Sequence, residues 1–239
     1  MRILITNDDG ISADGICRLA QMAASFGEVW VVAPENQCSA MSHRITIRDP
    51  LMVRRVDYPV PVAAAWALGG TPADCVKVAL SYLMRDYRPD VVFSGVNHGY
   101  NTGYDIAYSG TVGAAMEAMM QGVPAIAYST EAVDCHEAED RYMAEITGKL
   151  LGMEAPEGAI WNVNFPGCAL KDCRGIRWDT SVAPVQVFKE YYSPNLTDEG
   201  EVLTIGATRT TPAETPEDSD LRAVLEGYVS VGVVKSSVL

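Results

Sequence analysis

Two adjacent carboxylates, Asp8 and Asp9, stand between Asn7 and Gly10 in the opening stretch Met1-Arg-Ile-Leu-Ile-Thr-Asn-Asp-Asp-Gly10. Side by side they repel one another, and a cation between them keeps both ionised. Oxygen donors of this kind suit Mg²⁺, Mn²⁺ or Ca²⁺ better than Zn²⁺. Further along come Ser39, Ser42 and His43 in one polar stretch, and Asn97 and Asn101 in a glycine-, asparagine- and tyrosine-rich one. Carboxylates, a hydroxyl and an amide oxygen are the ligand set of a hard divalent ion that keeps some of its waters. Ser109-Gly110-Thr111 opens a small-residue run that reads as a helix. The free amides and positive dipole end of such a helix make an anion site, which glycine lets a phosphate approach closely. A metal beside a phosphate cradle is equipment for phosphomonoester hydrolysis, since the ion screens phosphoryl charge and acidifies a water.

That chemistry requires elements that bring distant loops to one edge. Ile3-Leu-Ile5 reads as a buried strand that places Asp8 and Asp9 at its carboxyl end, the edge of an open α/β sheet where ligands bind. Helical spacing of Ile16, Leu19, Ala20 and Ala23 predicts a helix from Asp14 to Phe26, and Glu28 to Ala33 a second strand. The pair forms a right-handed βαβ unit. The irregular stretch Glu35 to Arg48, which carries Ser39, Ser42 and His43, follows that strand. Strands are expected over 51–56 and 63–68, then a helix capped by Thr71, with Pro72 at its first position and Asp74 completing a capping box. Val91 to Phe93 is a further parallel strand, followed by Ser94-Gly-Val-Asn97 and a loop to Ser109. A helix over Val112–Met120, a strand over Ala125–Tyr128, a helix over Glu137–Leu151 and a strand over Ala159–Asn164 complete an α/β pattern with a mainly parallel sheet.

Beyond Pro166 the long helices stop. Strands are expected near 175–180, 185–192, 202–207 and 228–234, a short helix near 220–225, and a polar turn at Ser193-Pro-Asn195. We therefore divide the chain into a catalytic core, 1–166, and a C-terminal extension of the same domain, 167–239. The extension carries a projecting hairpin suited to subunit contacts.

Each candidate also has an ordinary use. Asp9 or Ser12 could cap the first helix, Ser39 could make a turn, Asn97 could shape a tight loop, and Ser109 could be a helix cap. His43 could be a hydrogen-bonded loop residue, and Met116, Met119 and Met120 read as core filler. Composition narrows the classes. The 239 residues are 48% apolar, enough for a large core, and 18 basic against 31 acidic residues give a net charge of −13. That balance argues against a nucleic acid polymer as partner, because phosphate backbones need Lys and Arg. No run approaches the roughly 18 apolar residues of a membrane span, and Arg2 is followed by too short an apolar run for a signal peptide. Six scattered cysteines without CxxC spacing form neither a disulfide framework nor a zinc site. A cytoplasmic location is expected. No GxGxxG follows the first strand, which argues against a dinucleotide-dependent dehydrogenase.

Several stretches also carry a resemblance. Asn7-Asp-Asp-Gly10, Ser39-x-x-Ser-His43, Gly70-Thr-Pro-Ala-Asp-Cys75, Ser94-Gly-Val-Asn97, Tyr108-Ser-Gly-Thr-Val-Gly-Ala-Ala-Met-Glu117, Asn162-Val-Asn-Phe-Pro166 and Glu226-Gly-Tyr-Val-Ser230 closely resemble the SurE family, in its order and over nearly the whole chain. The family comprises metal-dependent acid phosphatases acting on nucleoside 5′- and 3′-monophosphates, some also on polyphosphate. The resemblance implies one divalent ion, Mg²⁺ or Mn²⁺, held by Asp8, Asp9, Ser39 and Asn97. It implies that Asn101, Ser109, Gly110 and Thr111 face the phosphate, and Ser42 and His43 join them as substrate-side candidates. It further implies a Rossmann-like three-layer fold and a homodimer or homotetramer in which the C-terminal extension is exchanged or clasped. Two departures lower the positive charge near the substrate. Cys38 and Ala40 stand where the family commonly has a basic residue and a glycine, and His98 stands where arginine is frequent.

The mechanism this implies is attack of metal-activated water on phosphorus, with Asp8 and Asp9 positioning the metal and its water. Asp9 is one candidate for general base, and His43 or His98 for the acid that protonates the leaving alkoxide. A covalent route through Asp8 is the rival, although aspartyl-phosphate enzymes usually space their two aspartates by one residue. From another class, a nucleotide or phosphate sensor on the same scaffold would bind ligand without turnover.

Overall fold

The computed structural model describes residues 1–155 and 157–236. The last three residues of the expected extension lie outside the described residues. Nine strands form one sheet in the order β3-β4-β2-β1-β5-β6-β7-β11-β8. They are β1 (Arg2–Thr6), β2 (Glu28–Pro34), β3 (Val53–Arg55), β4 (Ala64–Leu68), β5 (Val91–His98), β6 (Ala125–Thr130), β7 (Ala159–Phe165), β8 (Ile176–Thr180) and β11 (Val229–Lys235). From β4 to β7 all neighbours are parallel, whereas β3 runs antiparallel to β4, and β11 runs antiparallel to β7 and parallel to β8. The chain builds outward from β1 to β2 and β4, then returns to lay β5 against the other side of β1. The crevice between the carboxyl ends of β1 and β5 is therefore the switch point, where such sheets bind ligands.

Side-chain alternation along β1 divides the core in two. Ile3 and Ile5 face α1 (Asp14–Ala23) and α4 (Glu137–Leu151) through Ile16, Leu19, Met143, Ile146 and Leu150. Leu4 faces α2 (Pro72–Val78) and α3 (Gly110–Met120) through Val76, Val112, Ala115 and Ala118. Helices thus cover both faces of the sheet, giving three layers. The Thr71–Asp74 capping box forms as expected, and α2 continues as a π-helical turn over Ala79–Leu83. The N-cap of α1 is Ala13 without a side-chain bond, so neither Asp9 nor Ser12 caps it.

The extension adds β8 and β11 to the main sheet, together with α5 (Asp220–Leu225) and a separate antiparallel hairpin, β9 (Phe188–Thr197) and β10 (Gly200–Arg209). Ser193-Pro194-Asn195, expected to turn, instead lies inside β9 opposite Val202–Thr204, and the reversal falls between Thr197 and Gly200. Proline is tolerated there because this strand has a free edge. Every residue of the hairpin except Gly206 is exposed, including Tyr191, Tyr192, Leu196, Val202, Leu203 and Ile205.

Candidate active site

Beyond β1 the chain turns sharply, with the Asn7 side-chain amide donating to the Gly10 carbonyl at 2.9 Å. The turn leaves Asp8 buried and Asp9 partly open. One Asp8 oxygen accepts the Thr111 hydroxyl at 2.6 Å and the other the Thr111 backbone N–H at 3.1 Å. Gly110 makes this approach possible, since a Cβ there would lie 3.0 Å from the Asp8 carboxylate. Burial pushes the Asp8 carboxyl up to about 6; the Thr111 bonds oppose the rise and the Asp9 charge adds to it. Asp9 accepts from the Gln37 amide at 3.2 Å and from the His98 backbone N–H at 3.0 Å, tying the first turn to the end of β5.

The strand β5 runs further than its apolar run suggests. Ser94 pairs with Ala127 and Asn97 with Ser129, so Gly95 and Val96 together oppose Tyr128. This bulge re-aims the end of the strand. The Asn97 amide nitrogen donates to the Gly99 carbonyl at 2.8 Å, which leaves its oxygen as the unpaired end. Ser39 arrives through its neighbour, because the Cys38 N–H donates to the Asp8 carbonyl at 2.7 Å. Its own side chain is exposed. Ala40 and Ser42 both take left-handed backbone, with φ of 55° and 52°. The loop is held from outside: Ser42 N–H donates to the Tyr108 carbonyl at 2.9 Å, and Thr46 N–H and hydroxyl donate to Asp74 at 2.9 and 2.7 Å. Asp74 therefore anchors this loop as well as capping α2.

The donor set fits a hard divalent ion. Among the described residues no three His, Cys, Asp or Glu side chains converge as a metal group. Two carboxylates completed by the free Asn97 amide oxygen and the Ser39 hydroxyl are oxygen donors throughout, as Mg²⁺ or Mn²⁺ prefers. The anion cradle is narrower than the sequence suggests. The Ser109 hydroxyl accepts from Val112 N–H at 3.1 Å, and Thr111 is engaged with Asp8. Among the described residues the Gly110 N–H has no hydrogen-bond acceptor, and it stands at the start of α3, at the positive end of the helix dipole.

Of the expected residues, His43 is drawn along α3. The His43 ring nitrogen bonds Glu117 at 2.8 Å, seven residues along α3 from Gly110 and hence about 10 Å down the helix axis. Glu117 also accepts from Gln121 at 2.6 Å and Lys77 at 3.4 Å. His43 thus lines a cleft of about 1280 Å³ beside α3, together with Ile45, Tyr104, Tyr108, Met116 and Met120. Met116 and Met120 are therefore cleft residues, although Met116 and Met119 also pack on the core. Asn101 is buried, its amide nitrogen donating to the Ser129 hydroxyl at 2.8 Å and its main chain gripped by Asn164 and Asn162. A smaller cleft of about 450 Å³ opens on Asp9 and His98. Glu117, Asn162 and Asn164 had no assigned role in the sequence. Their signals were a polar residue within a buried strand or helix face and a place in the stretches that carry the family resemblance.

The profile of the family described as Survival protein SurE matches residues 3–186. The 5′-nucleotidase SurE of Alkaliphilus metalliredigens is 35% identical over 233 residues, 97% of this chain and 91% of that protein. The 5′-nucleotidase SurE of a Thermoanaerobacter species is 36% identical over 235 residues, 97% of this chain and 90% of that protein. The crystal structure of the SurE protein from Aquifex aeolicus superposes with a TM-score of 0.85 at 33% identity, covering 98% of this chain and 93% of that one. With its carboxylate pair at the switch point and these likenesses over almost its whole length, the chain belongs to the SurE family.

Proposed function

We propose that this protein is a metal-dependent phosphomonoesterase that hydrolyses nucleoside 5′-monophosphates, and 3′-monophosphates as well, to nucleoside and phosphate. The observation that carries the reading is the Asp8–Asp9 pair beneath the first residues of α3, where Thr111 holds Asp8 and the Gly110 N–H remains free. The names of the relatives point the same way. Asp8, Asp9, Ser39 and Asn97 would hold the ion, which supplies charge screening and a water of lowered pKa. Thr111 fixes the Asp8 carboxylate, while Gln37 and the His98 N–H fix Asp9. Asp9, the less buried of the pair, is the group left to take a proton from the attacking water. The Gly110 N–H and the α3 dipole take charge that grows on the phosphoryl oxygens. His43, held by Glu117 along the large cleft, belongs with the leaving nucleoside.

The exposed apolar hairpin supports a homodimer or homotetramer, since contiguous exposed apolar surface of this kind marks interaction sites. Six free cysteines agree with a cytoplasmic protein, and no described helix is long and apolar enough to cross a membrane. We read 167–239 as an extension of the core 1–166, in keeping with the places of β8 and β11 in the same sheet. The test is phosphate release from a panel of nucleoside 5′- and 3′-monophosphates with Mn²⁺ or Mg²⁺, with chelator, and with Asp8→Asn. Turnover that needs metal and is lost in the variant supports the phosphatase. Nucleotide binding without turnover under any metal would instead identify a sensor.

A further inference from the structure

We propose that Asn162 and Asn164 are positioning residues of the phosphate site, acting through Asn101; the proposal rests on the phosphatase reading above. Both project from one face of β7, two residues apart, near its carboxyl end. The Asn164 amide grips the Asn101 peptide at two points: its oxygen accepts the Asn101 N–H at 2.9 Å and its nitrogen donates to the Asn101 carbonyl at 3.1 Å. The Asn162 amide nitrogen donates to that same carbonyl at 2.9 Å. Together these amides do for one residue of a loop what a neighbouring strand does in a sheet. They fix its height and orientation above β6 and β7.

Burial makes the arrangement hard to explain as packing alone. Asn101, Asn162 and Asn164 are 5%, 3% and 0% exposed, and along β7 the latter two alternate with the apolar Val163 and Phe165. A strand buried on both faces ordinarily carries apolar residues in such places. Among the described residues the Asn162 side-chain oxygen has no hydrogen-bond partner, so only its donating end is used, and that end serves Asn101. Burying an unpaired polar atom is unfavourable, and such atoms in native structures call for a functional explanation.

The gripped residue begins the segment that ends in the site. Two residues on, Gly103 N–H donates to Asp220 at 3.1 Å and Tyr104 N–H to the Val185 carbonyl at 2.9 Å. A 3₁₀ helix over Gly103–Tyr108 then leads directly to Ser109, the cap of α3, and to Gly110 against Asp8. With its far end fixed at Asp8, this short rigid segment keeps the Gly110 N–H and Asn101 in register only if its near end is fixed too. The amide grip from β7 supplies that end.

The experiment compares Asn162→Ala and Asn164→Leu with the unaltered full-length protein, each saturated with Mn²⁺. Melting temperature, kcat and KM for a nucleoside 5′-monophosphate, and binding of inorganic phosphate by titration calorimetry are measured together. Asn164→Leu keeps the number and branching of side-chain heavy atoms and removes the two-point grip, while Asn162→Ala leaves that grip intact. A displacement approaching 1 Å is worth up to about a hundredfold in rate. The expected result is phosphate affinity at least tenfold weaker and KM correspondingly higher in Asn164→Leu, as when a residue behind a binding group is removed, with a shift of about threefold in Asn162→Ala, the scale of one neutral hydrogen bond. Lower melting temperature with unchanged phosphate affinity and unchanged KM in the folded variants would overturn the proposal, because a merely structural role predicts that pattern. If Asn164→Leu does not fold, Asn162→Ala decides by the same readings. An unaltered protein that neither binds phosphate nor turns over nucleotide would sink the phosphatase reading, and this proposal with it.

Discussion

Replacing Gly113 by alanine sets two forces in the site against each other. Gly113 lies inside α3, where alanine is favoured over glycine by about 1 kcal/mol. Considered as a helix alone, the variant is the more stable protein. The added Cβ, however, would lie 2.5 Å from the Ser42 carbonyl oxygen and 3.0 Å from the His43 Cα, so the loop must retreat by about 0.9 Å to reach the ordinary 3.4 Å contact. That loop is fastened on both sides of the contact, by Ser42 N–H to Tyr108 and by His43 to Glu117. Losing one neutral and one charged hydrogen bond costs about 2–4 kcal/mol. The net expectation is a protein less stable by about 1–3 kcal/mol, once the helix gain of about 1 kcal/mol is subtracted. Ser39 sits three residues upstream on the same loop, so catalysis should fall by one to two orders of magnitude, at about a hundredfold per ångström. Urea denaturation gives the first quantity and phosphate release at saturating Mn²⁺ the second. A variant as stable as the parent with unchanged kcat/KM would refute the idea that the seat on α3 holds the serine loop.

Other perturbations test separate parts of the site and its assembly. Thr111→Val removes the hydroxyl bond to Asp8 but keeps shape and backbone bond; a loss of about 1.5–3 kcal/mol and at least a tenfold fall in kcat/KM are expected from melting curves and phosphate release. Burial would raise the Glu117 carboxyl, but bonds from His43 and Gln121 and the Lys77 charge bring it down to about 2. A depressed carboxylate contributes stability above its ordinary value near 4.5 that is lost as pH falls toward 2. The urea midpoint of Glu117→Gln should therefore converge on that of the parent as pH is lowered through this window, and parallel curves would contradict the assignment. Leu203 and Ile205 share one exposed face of β10; replacing both by Glu should reduce the mass seen by light scattering with an unchanged circular dichroism spectrum. An unaltered mass would remove the hairpin from the assembly.

Much of the first two thirds of the fold is legible in the sequence. The spacing around Ile16 and Leu19, the capping residues Thr71 and Asp74, and the limits of α4 follow from short-range rules, and all appear where expected. Asp8 and Asp9 could be placed at a strand's carboxyl end because β1 is a local pattern of three apolar residues ended by polar ones. The hairpin was harder, since Pro194 in a strand with one free edge looks in sequence like a turn. The bulge at Gly95 and Val96 was invisible for a related reason: a bulge is defined by the partner strand, not by its own residues.

What only the tertiary structure decided is who meets whom. Thr111 holds Asp8 across 103 positions, Asn164 grips Asn101 across 63, and Glu117 holds His43 across 74. Sequence determined the residue types and the local backbone on which they ride, because periodicity, caps and turns are settled within a few residues. It could not determine these pairings, because they depend on which strands become neighbours in the sheet, and that order is set by burying two cores at once across the whole chain.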